Sequence, residues 1–274
     1  MTEYYQHKTI LITGAASGIG KQFAERVSEA EGTKLILWDL NAESLNELAR
    51  KLQQICTVDK TVLNITDADR VELEAERLIK QDLLPDLIVN CAGVVTGKLF
   101  HNHHYHEIDK TLKVNVTGSM YVVRAFLNEM IERGSGHIVN LASASGYIGN
   151  PKMSVYAASK WAVLGWTESL YLEMKQNQTG IDVTAVIPSY IDTGMFKGVK
   201  APLLTPILTT DDIVNRMLKG IAKRRRTIKA PFMVRFTPTL KGILPASVFD
   251  WLAGKIFGVY ETMDSFKGRE GTDV

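Results

Sequence analysis

Six short apolar segments rich in β-branched residues recur along the chain: TILIT (9–13), KLILW (34–38), TVLNI (61–65), DLIVN (86–90), HIVNLA (137–142) and IDVTAVI (181–187). A stretch of helical length and period separates each from the next. Near-continuous apolar runs belong to strands buried on both faces, and strands that alternate with helices run parallel because each crossover returns the chain to the same end of the sheet. The alternation predicts an α/β fold, a Rossmann-type doubly wound domain with a mainly parallel sheet of six or seven strands flanked by helices. At 274 residues the chain is long for one domain but within reach of one such unit, and no repeat or low-complexity linker divides it.

The alternation stops after Pro188. Residues 189–206, SYIDTGMFKGVKAPLLTP, mix Gly and Pro with large apolar side chains and read as a mobile flap, followed by a helix over roughly 211–223. We therefore take 1–230 as the main α/β domain, flap included, and 231–274 as an apolar C-terminal extension of it.

A net charge of only +2 argues against nucleic acid as an obligatory partner. The first eight residues are polar and the first apolar run is five residues long, so neither signal peptide nor membrane-spanning helix is expected and the protein is read as cytoplasmic. Cys56 and Cys91 lie far apart without CxxC-type spacing, which fits a reducing compartment and offers neither disulfide nor zinc site.

TGAASGIG stands immediately after the first strand, with Gly14, Gly18 and Gly20 opening a helix. Glycines let the backbone turn tightly against a pyrophosphate, and the helix N-terminus supplies N–H groups and a positive dipole end. Asp39 closes the second strand nineteen residues beyond Gly20, the context in which this fingerprint carries weight. Its carboxylate can accept hydrogen bonds from both hydroxyls of an adenosine ribose and would repel a 2′-phosphate. Neither Ser17 nor Leu40 supplies a basic partner for such a phosphate, so NAD is expected over NADP.

In SVYAASK, Tyr156 and Lys160 project one turn apart from the same helix face. They are either surface decoration or an acid/base pair, in which the ammonium would lower the pKa of a phenol otherwise too weak a base near neutrality.

These residues resemble the short-chain dehydrogenase/reductase family over nearly all of residues 8–230. TGAASGIG matches the family's TGxxxGxG, Asn90-Cys91-Ala92-Gly93 its NAG motif, Asn115 the asparagine of its fourth helix, and Ser143 with Tyr156 and Lys160 the rest of its tetrad. The resemblance implies Tyr156 as acid/base and Lys160 as its tuner and as holder of the nicotinamide ribose. It further implies Ser143 on the substrate oxygen, and Asn115 supporting a water that relays the proton. Cofactor contacts are implied for Gly14, Ser17, Gly18, Ile19, Gly20, Asp39, Asn64, Asn90, Ala92, Gly93, Tyr156, Lys160, Pro188 and Thr193. Two departures stand out: Pro188-Ser189 replaces the usual Pro-Gly, and Asn64 replaces the usual acid after the third strand, where its side-chain oxygen could still meet the adenine amino group.

HNHHYH (101–106) gathers four of the six histidines, but without helical-pair spacing or a completing acidic or cysteine set it is read as a loop that borders the substrate mouth or is simply solvated, with no metal. In the tail, Pro245 can start a helix with a stripe of Val248, Leu252, Ile256 and Val259, widened by Phe249, Trp251 and Phe257. Such a tail needs a cover: the substrate pocket, a neighbouring copy in a homo-oligomer, or a membrane surface with Arg224 to Arg226 near the headgroups. More weakly, the tail resembles the branch of the family that handles retinoid, steroid and other lipid alcohols, although the N-terminal anchor common there is not seen. The expectation is an NAD-dependent oxidoreductase interconverting a hydrophobic alcohol and its ketone or aldehyde. Its alternatives are an NAD(H)-sensing regulator without turnover, which would not need Tyr156 or Lys160, and a reductase of carrier-linked 3-oxoacyl groups, which would ordinarily want NADP.

Overall fold

Every residue of β1 (Thr9–Thr13) and β4 (Leu87–Asn90) is buried, the mark of strands at the centre of a sheet covered on both faces. The computed structural model describes residues 3–268, so the first two residues and the last six of the 231–274 extension lie outside the described residues. Around this pair run β2 (Lys34–Asp39), β3 (Thr57–Val62), β5 (Gly136–Leu141), β6 (Ile181–Pro188) and β9 (Thr227–Ala230). The seven strands lie in the order β3-β2-β1-β4-β5-β6-β9, and every pairing is parallel. The short strands β7 (Ile191–Asp192) and β8 (Leu208–Thr209) pair separately and tie together the two ends of the 189–206 flap.

Period-two alternation divides the core. Ile10, Ile12, Leu35, Leu37, Leu87 and Val89 face one layer, which α1 (Gly18–Val27), α2 (Ala42–Leu52) and α7 (Thr210–Ala222) cover with Phe23, Leu48 and Met217. Leu11, Ile36, Trp38 and Ile88 face the other, covered by α3 (Ala68–Lys80), α5 (Ser119–Arg133) and α6 (Ser154–Gln176) with Leu78, Phe126 and Leu170. Each such side chain contributes about 1.5–3 kcal/mol by leaving water.

Four elements differ from the sequence reading. The third strand lies at 57–62, four residues before the TVLNI run, because it is an edge strand whose half-exposed pattern needs no apolar run; Leu63 and Ile65 are buried after it ends. β9 is a seventh strand that the short, Lys-interrupted TIKA concealed. The helix carrying Asn115 is not one regular helix: α4 (Tyr105–Leu112) widens into a π turn, Lys113–Gly118, before α5 begins. In the tail, a turn at Phe232–Arg235 leads into α8 (Thr237–Ile243); α9 (Ala246–Trp251) then widens into a π turn over Leu252–Ile256. The widening rotates the expected stripe, so Phe249 and Ala253 are buried while Val248 and Ile256 stay exposed.

A buried histidine gives the fold a pH signature. His137 on β5 is closed off between the Tyr4 hydroxyl, 2.7 Å from Nδ1, and the Thr184 hydroxyl, 2.8 Å from Nε2. Burial, helped by Arg224 and Lys8, lowers its pKa from 6.5 to about 3. The unfolded imidazole binds a proton below about pH 6.5 and the folded one does not. Stability is therefore fully present above that pH and declines as pH falls toward 3, by up to ~4 kcal/mol from this group. Urea midpoints measured from pH 7 to pH 4 should show His137→Asn with a flatter acid slope than the wild type; equal slopes would remove His137 from the account.

Candidate functional site

Strand order reverses direction between β1 and β4, and the crevice at their C-terminal ends is where an open α/β sheet has room for a ligand. The turn from β1 into α1 occupies that crevice. Gly14 has φ +66°, and a side chain there would come within 2.8 Å of the Ala92 backbone, so only glycine lets the loops after β1 and β4 meet. Gly18 has φ +54° and faces Thr193 across the cleft. The Ser17 side chain does not cap the start of α1, and the first-turn N–H groups of a helix have no acceptor within the helix. The cleft, about 250 Å³, is lined at this end by Gly14, Ser17, Gly18, Ile19 and Gly20. Such a cradle, narrow and built from backbone donors, fits a pyrophosphate.

Asp39 closes β2 beside it. One carboxylate oxygen accepts from Ala16 N at 2.8 Å and the other from Asn41 N at 2.8 Å, so the carboxylate fastens the glycine turn while still lining the cleft. Asn64 also lines the cleft, but its Oδ1 accepts from Thr66 N and Oγ1 at 3.1 and 2.9 Å, which holds locally the oxygen expected to meet adenine. Asn90 lies beneath the cleft floor, fully buried, donating to Asn140 Oδ1 at 2.9 Å, whereas Ala92, Gly93, Pro188 and Thr193 line the walls.

At the other end α6 delivers Tyr156 and Lys160, both 5% exposed. Ser143, at the end of the loop following β5, hydrogen-bonds the phenol. Phe196 of the flap meets the Tyr156 ring edge-on, with centroids 5.8 Å apart. Burial pushes the phenol above its ordinary pKa, and the Ser143 hydrogen bond works against that rise. Lys160 Nζ donates to Leu141 O at 2.8 Å and lies 5.6 Å from the Tyr156 ring centroid. Burial lowers the lysine's own pKa to about 8. Burial is thus the largest influence on the phenol, with Ser143 as the group that opposes it.

Asn115 reaches this pair through the loop after β4. From the π turn its amide accepts from Val94 N at 2.8 Å and donates to Val94 O at 2.9 Å and to Ser159 Oγ at 3.0 Å. Ser159 in turn donates to Tyr156 O at 2.6 Å. Asn115 lies behind the cleft wall and Ser159 is its link to the tyrosine. Ser159 was missed in the sequence, although it directly precedes Lys160 on the helix. The His-rich loop is organised around Glu107, which accepts from His104 N and pairs with Lys98 at 2.5 Å. Among the described residues no three His, Cys, Asp or Glu side chains gather where they could hold one metal ion.

Ser143 and Ser189 also open onto a second cavity of about 120 Å³, roofed by the flap and the tail. Its walls are apolar: Tyr190 and Phe196 from the flap, Val234, Leu244, Leu252 and Phe257 from the tail. Asn150 fastens the two together, donating to the hydroxyls of Tyr190 at 2.9 Å and Thr262 at 2.7 Å. Among the described residues no helix is long and apolar enough to cross a membrane.

A family model described as short chain dehydrogenase matches residues 8–203. Epidermal retinol dehydrogenase 2 of Mus musculus is 33% identical over 95% of this chain and 85% of its own length. Estradiol 17-beta-dehydrogenase 11 of Homo sapiens is 33% identical over 94% of this chain and 86% of its own. Among solved structures, a short-chain dehydrogenase from Sphingobium yanoikuyae in complex with NADPH superposes with a TM-score of 0.73 at 26% identity, over 97% of this chain and 99% of that one.

Proposed function

The chain belongs to the short-chain dehydrogenase family and is an oxidoreductase, and from that premise we propose that it interconverts a bulky hydrophobic alcohol and its carbonyl compound with NAD. One observation carries the reading: Ser143 stands at once beside Tyr156 in the dinucleotide-sized cleft and on the wall of the apolar cavity. A substrate oxygen held there has the acid/base group on one side and an oily pocket for its body on the other. The names of the relatives, a retinol and an estradiol dehydrogenase, support a substrate of that class.

When bound, a nicotinamide dinucleotide supplies the two-electron chemistry by accepting or returning hydride. The glycine turn and the start of α1 would hold its pyrophosphate, Asp39 its adenosine ribose, and Lys160 and Thr193 its nicotinamide end. Tyr156 takes the hydroxyl proton in oxidation and returns it in reduction, while Ser143 fixes the substrate oxygen by hydrogen bonding. Lys160 lends its positive field to that end of the cleft. Asn115, whose two amide protons are committed to Val94 and Ser159, holds the β4 loop and α6 in register.

Because burial raises the phenol, the basic form of Tyr156 becomes more abundant only as pH rises. Alcohol oxidation should therefore accelerate from neutral toward alkaline pH while ketone reduction, which uses the protonated phenol, stays nearly level, as initial rates in both directions would show. A pH-independent oxidation rate would remove Tyr156 as the base.

A homologous series of secondary alcohols tests the substrate class. Each methylene entering the cavity adds up to ~0.8 kcal/mol of transition-state binding, about fourfold in kcat/KM, until the space is full. Thr237→Trp, which fills the cavity from α8, should flatten that climb. Better turnover of short polyols or sugars would refute the hydrophobic reading.

A further inference from the structure

Not all of the tail's apolar surface is spent on the cavity. Phe232, Phe236, Leu240 and Ile243 follow one another at spacings of four, four and three along the turn before α8 and along α8 itself, so they share one face. They are 61%, 43%, 40% and 76% exposed, and the two phenylalanine rings touch edge to face with centroids 5.0 Å apart. Leu203 and Leu204 of the flap protrude as well, between Pro202 and Thr205, which line the cavity wall. Leu240 belongs to both surfaces: it is part of the outer stripe and part of the cavity lining.

A basic groove adjoins the stripe. Its lining brings together Arg216, Lys219, Lys223, Arg225, Lys229 and Arg235, with Asp212 as the one acidic residue there among the described residues. The Asp212 carboxylate is occupied by Thr209, whose N–H and hydroxyl it accepts at the start of α7. Arg235 joins groove to stripe, its guanidinium 5.5 Å from the Phe232 ring centre. Lys241 on α8 lies 4.4 Å over the half-exposed Trp161 ring. Six cations are concentrated here in a chain whose net charge is only +2.

We propose that this face, Phe232, Phe236, Leu240 and Ile243 with the groove from Arg216 to Arg235, docks on an anionic lipid bilayer and sets the mouth of the apolar cavity against it. An apolar stripe edged by Lys and Arg has the makeup of an interfacial element: the stripe enters the acyl boundary and the cations meet lipid phosphates. A second copy of the chain is a poorer occupant, since a two-fold contact across this face would bring one basic groove toward the other. A nucleic acid would use the cations and leave the stripe in water. The proposal deepens the hydrophobic-substrate reading and rests on it for its purpose: a substrate dissolved in the bilayer reaches the cavity past Leu240 without crossing water.

Vesicle flotation without substrate tests it. The wild type should float with phosphatidylcholine vesicles containing phosphatidylserine, at least tenfold less with phosphatidylcholine alone, and less as salt rises. Lys219→Glu combined with Arg235→Glu should abolish the preference for phosphatidylserine. Phe236→Asp and Ile243→Asp should cut binding at least tenfold, with thermal unfolding and turnover of a short water-soluble alcohol unchanged. Absence of flotation, flotation indifferent to these substitutions, or an oligomer that Ile243→Asp dissolves would each overturn the proposal. Turnover of alcohols is measured apart from flotation, so failure of the docking face and failure of the substrate reading are told apart.

Discussion

Tyr156→Phe is expected to lower kcat by about 10²- to 10⁴-fold while dinucleotide binding and folding stay intact, the range for loss of a positioned acid/base group. The substitution removes one oxygen. The ring keeps its edge contact with Phe196, and the backbone carbonyl keeps its hydrogen bond from Ser159. What is lost is the hydrogen bond with Ser143 and the proton-transfer group itself. Lys160→Met separates the roles further. Burial disfavours the lysine's charge, as its lowered pKa of about 8 shows, so the methionine variant should be no less stable than the wild type. Its turnover and dinucleotide affinity should both fall. A Tyr156→Phe enzyme that retained most of the wild-type kcat would end the assignment.

The second large effect concerns Asp39. Its two oxygens accept from Ala16 N and Asn41 N, and the carboxylate still lines the cleft where an adenosine ribose would lie. A 2′-phosphate there would meet a like charge, with Leu40 as the next side chain and no cation offered by Ser17. Placing like charges together costs several kcal/mol. The ratio of kcat/KM for NAD over that for NADP should therefore be large in the wild type and drop by about 10²-fold in Asp39→Asn, which keeps the side chain's shape, removes its charge and leaves one of the two N–H donors without its acceptor. The NADPH complex of the similar Sphingobium yanoikuyae dehydrogenase makes this comparison a sharp one, since a fold of this kind also holds the phosphorylated cofactor. A wild type that already prefers NADP would refute the charge argument.

How far these features could be read in the sequence depended on how local their cause is. The glycine turn, Asp39 and the Tyr156/Lys160 pair follow from spacing along one turn or one helix, and the structure places them around one cleft. The π turn at Lys113–Gly118 left no such mark, because LKVNVTGS reads as ordinary helix; the widening turns Asn115 inward, and only the fold shows what it grips. Edge strands hid for a related reason: β3 and β9 need apolar residues on fewer positions, so TVDKTV and TIKA carry little signal. Asn64 shows a local competitor winning, its oxygen captured by Thr66 two residues on. In the tail, composition demanded a cover for apolar surface, but periodicity failed to name the faces once the chain widened at Leu252–Ile256. The division between Leu244, Leu252 and Phe257 on the cavity and Phe232, Phe236 and Ile243 outward is tertiary information.

Tyr156 is proposed to enable hydride to leave the carbinol carbon of a hydrophobic alcohol for NAD. A secondary alcohol deuterated at that carbon, incubated with NAD and either wild-type enzyme or Tyr156→Phe, with the reduced cofactor analysed by mass spectrometry, addresses it directly. One deuterium per reduced cofactor is predicted, formed at least ~10²-fold more slowly by the variant. Reduced cofactor without deuterium, or equal rates from the two proteins, would contradict it.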